Sequence, residues 1–207
     1  METLSINRLI IIAAPSGGGK SFLIDKMRHG DCPELCAQLD IVAPESWLSL
    51  TAKELAQQAE APIDKLILHY DLNFNSRDGR NFSNLDAPIL KAVKTTVLTL
   101  CLTPETLKKR NAFKARGVVN IPWLDRAKMR RKIRVVLQRL EKIKSLRDHG
   151  SVFVLYDRWC GYLGDHPIEQ HWLLDFNQSD VIPKACDYDP KVLGNSIGAV
   201  SYVASGN

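Results

Sequence analysis

Residues 8–27 read Arg-Leu-Ile-Ile-Ile-Ala-Ala-Pro-Ser-Gly-Gly-Gly-Lys-Ser-Phe-Leu-Ile-Asp-Lys-Met. The apolar, β-branched run at Arg8–Ala14 has no polar alternation, as expected of a strand buried on both faces. Pro15 ends it, and three glycines let the backbone turn where any Cβ would crowd a bound group. From Lys20 the pattern becomes helical, with Phe22, Leu23 and Met27 on the inward side and Gly30 closing the helix after Arg28.

From Ala14 to Ser21 the chain has the form of a phosphate-binding loop, a small residue and four positions followed by Gly-Lys-Ser. Backbone N–H groups of Ser16, Gly17, Gly18 and Gly19 would turn into one concavity, reinforced by the positive end of the helix that starts at Lys20. Lys20 supplies a charge that follows a phosphoryl group, Ser21 a hydroxyl for Mg²⁺, and Phe22 stands in the first turn. The expected cofactors are ATP and Mg²⁺.

Further strands are expected at Asp64–Tyr70, Thr95–Leu102 and Ser151–Tyr156, with a weaker one near Gln38–Val42. Helical patterns fall at Thr51–Ala59, Ala87–Lys94, Glu105–Ala115 and Trp123–Asp148. Strands separated by helices imply an α/β fold, three layers around a mostly parallel five-stranded sheet. The 207 residues suit a single domain, 1–207, with an irregular tail at 178–207 that carries a weak strand signal at Ala199–Ala204. No apolar run approaches the ~18 residues of a membrane span, and a cytoplasmic protein is expected.

Asp71 follows the apolar run Lys65-Leu-Ile-Leu-His-Tyr. A carboxylate there either holds the metal or accepts a proton from the attacking group; the plainer alternative is a cap for the next turn. His69 shares a strand face with Asp71. It reads first as a hydrogen-bonded core histidine and second as a substrate contact. Asp40 ranks below Asp71 as a substitute carboxylate.

The net charge of +5 is unevenly spread: residues 108–147 hold 15 Lys and Arg against Asp125 and Glu141. This basic, helical, lid-like segment contains an arginine ridge at Arg126, Arg130 and Arg134 beside an apolar stripe. A solvated face accounts for most of its charge, leaving a few arginines for phosphate. Arg110 and Arg116 are of the type that closes over a nucleotide. Asp157-Arg158-Trp159 follows the expected last strand, so Arg158 or Trp159 would stack on a base; a packed tryptophan with a surface arginine serves equally well. The five cysteines, including Cys32 and Cys36 near His29, lack a zinc-type spacing and read as reduced thiols.

The segments Ala14–Ser21 and Leu102–Gly117 resemble P-loop kinases of the nucleoside-monophosphate-kinase group, which includes guanylate, adenylate and shikimate kinases. The loop is similar to the guanylate-kinase loop with Ala14 at its first position. The resemblance implies a P-loop NTPase fold and a phosphotransferase that moves the γ-phosphoryl group of ATP to a hydroxyl or phosphate acceptor. It implies lid roles for Arg110 and Arg116. A tyrosine-rich recognition region like that of a guanylate kinase is missing, so a sugar, a sugar acid or another small hydroxyl compound suits the acceptor. Competing readings are a nucleic-acid-directed protein that uses the basic segment with Trp123, a non-catalytic nucleotide binder or regulatory ATPase, and a P-loop sulfotransferase. The intact Lys20-Ser21 argues against the last.

Overall fold

A computed structural model of the chain describes residues 5–57, 62–72, 82–116, 134, 152–176 and 202–205. Strand β1 (Ile6–Pro15) has a neighbour on each edge. It runs parallel to β3 (Ile63–Leu72) on one side and to β4 (Ala92–Cys101) on the other. Its side chains alternate between two cores. Leu9, Ile11 and Ala13 enter one, while Ile10, Ile12 and Ala14 enter the other, and all six are fully buried. A strand covered on both faces has no position for a polar residue, which is why the run is continuous.

The sheet order is β2-β3-β1-β4-β5-β6, with β2 at Leu48–Thr51, β5 at Gln170–Asp175 and β6 at Tyr202–Ser205. The first five strands in that order are parallel, and β6 is antiparallel to β5. Helices α1 (Lys20–Arg28) and α2 (Pro33–Gln38) cover the Ile10 face through Leu23, Ile24, Met27, Leu35 and Cys36. The opposite face is covered by Leu55 of α3 (Ala52–Leu55), Ile89 of α4 (Asp86–Lys91), Leu107 of α5 (Pro104–Arg116) and much of α6 (Val152–Gly164). The chain leaves β1 toward the β2 edge and leaves β4 toward the β5 edge. The carboxyl ends of two adjacent strands therefore diverge, which is where open α/β sheets place ligands. No helix among the described residues is long and apolar enough to cross a membrane.

Four expectations are corrected. The strand expected at Ser151–Tyr156 is helical from Val152 on: Val152 to Gly164 form a helix, with Val152, Leu155, Tyr156, Trp159 and Leu163 on the buried stripe. A short apolar run cannot by itself separate the two periods, and the steps of three and four lie beyond its end. The fifth parallel strand is β5, hidden because His171 and Trp172 interrupt its apolar pattern. Gln38–Val42 is no strand either, because Pro33 starts α2 and Asp40 turns with a φ of 51°. Asp40 pairs with Arg8 near the amino end of β1, far along the strand from the glycine turn, so it is no substitute for Asp71. The expected helix Ala87–Lys94 ends earlier, at Lys91, and β4 begins at Ala92. Helix Trp123–Asp148, the tail before Tyr202 and most of the basic segment lie outside the described residues.

Helix α6 is tied to β4 through polar groups. The Tyr156 hydroxyl accepts from the Leu102 N–H and donates to the Leu100 carbonyl, each at 3.0 Å. Trp159 Nε1 donates to Thr99 Oγ1 at 2.8 Å, and that hydroxyl meets His171 Nε2 at 2.9 Å. The arrangement is satisfied when Thr99 accepts from the indole and donates to a neutral imidazole. Burial lowers the His171 pKa from 6.5 to about 4. The unfolded chain therefore binds a proton that the folded chain excludes between those values. Stability should fall as pH drops through that window, by roughly 3 kcal/mol from this group. Urea unfolding at pH 7 and pH 4.5 should show a smaller difference for His171→Gln than for the parent chain.

Candidate functional site

The turn from Pro15 to Lys20 lies at the carboxyl end of β1. Gly17 and Gly19 have φ values of 88° and 99°, in the left-handed region. The N–H of Gly18 closes the turn on the Pro15 carbonyl at 2.8 Å. Each glycine also faces an occupied site. A Cβ on Gly17 would lie 2.7 Å from the Asn111 amide, one on Gly18 2.6 Å from the Ala14 Cβ, and one on Gly19 2.5 Å from the Phe176 ring. Packing therefore opposes a side chain at all three positions, and the left-handed backbone opposes it at Gly17 and Gly19 as well. Gly19 is the residue before α1, whose first turn holds no acidic residue and no side-chain cap. The positive end of the helix is left to the turn.

Lys20 folds back under the turn. Its Nζ donates to the Ala14 carbonyl at 2.8 Å and to Asp71 Oδ1 at 2.5 Å. Sheet register accounts for the second contact, since Ala14 and Asp71 are cross-strand partners in the β1–β3 ladder. The lysine is mostly buried and the carboxylate half exposed. Ser21 is exposed in the first turn of α1, and Ser16 is half-buried in the loop.

Helix α5 holds the turn from the other side. Arg110 donates through Nη1 to the Gly18 carbonyl at 3.2 Å and through Nη2 to the Phe176 carbonyl at 2.6 Å. Its guanidinium also lies over the Phe176 ring, 5.3 Å from the centroid. Burial lowers its pKa from the ordinary value, yet a guanidinium in a protein stays charged. Asn111, almost fully buried, donates from Nδ2 to the carbonyls of Ser16 and Leu107 at 3.1 and 3.0 Å. Phe22 remains exposed and meets Phe176 edge-on at 6.3 Å. Asn111 and Phe176 carried no signal in the sequence. The amide sits among basic residues that drew attention by charge, and the phenylalanine follows a strand that periodicity missed.

Arg116 is the last residue of α5, and Arg130 lies outside the described residues. Arg158 is exposed on α6 rather than in a loop after a strand, so the sequence argument that brought it to a base no longer applies. Trp159 is fully buried, stacked between Tyr70 and Tyr162 at 5.5 and 5.7 Å, and has no open face for an adenine.

His69 lies along β3 from Asp71, its Nε2 2.7 Å from Ser49 Oγ. Burial first, and then the charge of Lys20, hold its pKa below the ordinary value. Among the described residues no group of three His, Cys, Asp or Glu is arranged to hold a metal. The described cysteines are free thiols, and burial pushes Cys32 and Cys160 up to about 12, far from a thiolate at neutral pH. Ser21 and Asp71 are the oxygen donors beside the turn.

The chain matches no protein-family model, no curated protein and no solved structure.

Gly19→Ala should separate strain from steric conflict when compared with Gly30→Ala. Both glycines have positive φ, but a Cβ on Gly30 meets nothing within 4 Å. Gly30→Ala should cost about 1 kcal/mol for its left-handed backbone. Gly19→Ala should cost about 1–3 kcal/mol more for overpacking against Phe176. Urea midpoints with a common slope give both numbers; equal losses would mean that Phe176 yields without cost.

Proposed function

We propose that this chain is a P-loop kinase with a P-loop NTPase fold, a phosphotransferase that moves the γ-phosphoryl group of ATP to a small-molecule acceptor. The observation that carries the reading is the meeting of Lys20 and Asp71 beside a turn from which three side chains are sterically excluded. This meeting bridges the carboxyl ends of β1 and β3 at the start of α1, next to the point where the chain leaves β1 and β4 in opposite directions. Such a place binds polyphosphate with backbone N–H groups and a helix end, and provides a cation and a carboxylate for transfer.

The residues present suit Mg²⁺, since the Ser21 hydroxyl and the Asp71 carboxylate are hard oxygen donors; these two would hold the ion. When bound, Mg²⁺ offsets the charge of the β- and γ-phosphates. Lys20 exchanges part of its contact with Ala14 and Asp71 for a phosphate oxygen and follows the phosphoryl group. The acceptor oxygen forms a bond to γ-phosphorus as the bridging P–O bond to the β-phosphate breaks, and ADP leaves. The acceptor's proton passes to the Asp71 carboxylate or to water. The exposed Phe22 ring, rather than the buried Trp159, would be the surface open to the base. Arg116 and Arg130, from the basic segment, neutralise charge on the moving group, where an arginine contributes about 10³-fold or more in rate.

Calorimetric titration with ATP and GTP in the presence of Mg²⁺ tests the reading. The parent chain should bind a triphosphate, and Lys20→Ala should weaken it at least tenfold while melting cooperatively. Preference for adenosine 3′-phosphate 5′-phosphosulfate would redirect the function to sulfuryl transfer. No nucleotide binding by the parent chain would remove the kinase reading.

A further inference from the structure

The corner between α1, the β2–α3 junction and the carboxyl half of β3 collects polar groups that the phosphate site does not use. Ser49 Oγ lies 2.7 Å from His69 Nε2, and the ring's Nδ1 has no hydrogen bond among the described residues. In the β2–β3 ladder Thr51 is the partner of His69, so the start of α3 is held beside that ring. Thr51 caps α3 in a reciprocal box with Glu54. Both contacts that Glu54 accepts, from Thr51 N at 2.7 Å and from Thr51 Oγ1 at 2.8 Å, end on Oε2. Among the described residues Oε1 accepts nothing. The charges that act on His69 are Lys20, Glu54, Asp25 and Arg28. Lys20 is engaged by the turn and Asp71, and Arg28 donates to the Trp47 carbonyl at 3.1 Å.

We infer that this corner is the acceptor site and that its substrate is an uncharged, hydroxyl-rich small molecule such as a sugar or polyol, bound by Ser49, Glu54 and His69. The inference rests on the kinase reading and names the substrate class for it. Hydroxyl groups both donate and accept, as this set requires: Glu54 Oε1 takes a proton donor, while Ser49 and His69 adapt to either role. A monophosphate or a sugar acid would bring a second anion next to Glu54, Asp25 and Asp71, with both nearby cations already engaged. Spacing supports a compact acceptor. His69 and Asp71 share a face two residues apart, about 7 Å along a strand, close to the span of one sugar ring. A molecule with one hydroxyl at Asp71, where transfer takes place, therefore presents others to His69 and Ser49.

The test uses the full chain with ATP and Mg²⁺, a panel of neutral aldoses, polyols and nucleosides, and a second panel of nucleoside monophosphates and aldonic acids. Acceptor-dependent ADP release should occur with a member of the first panel in preference to the second. Ser49→Ala, His69→Gln and Glu54→Gln should each raise the acceptor KM about five- to tenfold, the loss of one hydrogen bond. ATP affinity should stay within twofold. Glu54→Gln keeps the capping box and so tests recognition without unfolding α3. Preference for the anionic panel, no use of any neutral acceptor by an ATP-binding chain, or unchanged KM in the three variants would overturn the inference while leaving nucleotide binding intact. Absence of ATP binding in the parent chain would overturn the kinase reading and this inference with it.

Discussion

The interior position of β1 is the constraint on which the rest of the structure depends. It is paired on both edges and buried on both faces, so register is fixed by two ladders and by two apolar stripes at once. A slip by one residue would exchange the stripes and break both ladders. Three consecutive isoleucines, Ile10 to Ile12, have no exposed surface, and each contributes roughly 1.5–3 kcal/mol by burial. That outweighs what a partly exposed ion pair such as Lys20–Asp71 adds to the fold. The ion pair is thus a consequence of register: once Ala14 is opposite Asp71, the lysine that follows the turn meets that carboxylate.

The turn has little freedom left. Its carbonyls are engaged by α5, at Ser16 through Asn111 and at Gly18 through Arg110, while Phe176 stands against Gly19 from the end of β5. Engaging the carbonyls from outside favours N–H groups that point the other way, into the turn. A loop that must order itself around a polyphosphate gives up binding energy to do so, and one held by its neighbours gives up less. Asn111 and Phe176 also account for glycine at positions 17 and 19, and the Ala14 Cβ and Pro15 carbonyl for glycine at 18.

What the sequence made legible follows a physical division. β1, α1, β3 and α5 were readable because each carries its own period or punctuation: unbroken apolar runs, Gly30 after α1, Pro104 before α5. Asp71 was readable because it follows such a run directly, and Lys20 because it closes the glycine turn. Ser151–Tyr156 misled because an apolar hexapeptide fits a buried strand and a helix stripe equally well, and only Trp159 and Leu163 beyond it decide. β5 was hidden because His171 is a polar residue in the core that meets Thr99, a partner 72 residues away. Asn111 and Phe176 were hidden because their roles belong to contacts with the turn rather than to local pattern.

Helix α5 is where fold and site become one mechanical unit. Leu107 is fixed in the core, and the next turn of the same helix presents Arg110 and Asn111 to the glycine turn. Asn111 links the two, because its amide bonds the Leu107 carbonyl and the Ser16 carbonyl together. Lys108 and Lys109, the first residues of the basic stretch, precede Arg110 in this helix. A shift of α5 relative to β1 would have to break the Asn111–Ser16 and Arg110–Gly18 bonds together. Each bond lost in such a shift costs about 0.5–1.5 kcal/mol, and more where it leaves the carbonyl of half-buried Ser16 or buried Gly18 without a partner. Arg110 is thereby a structural member of the loop as well as a cation beside it, and removing its charge also removes a support of the turn.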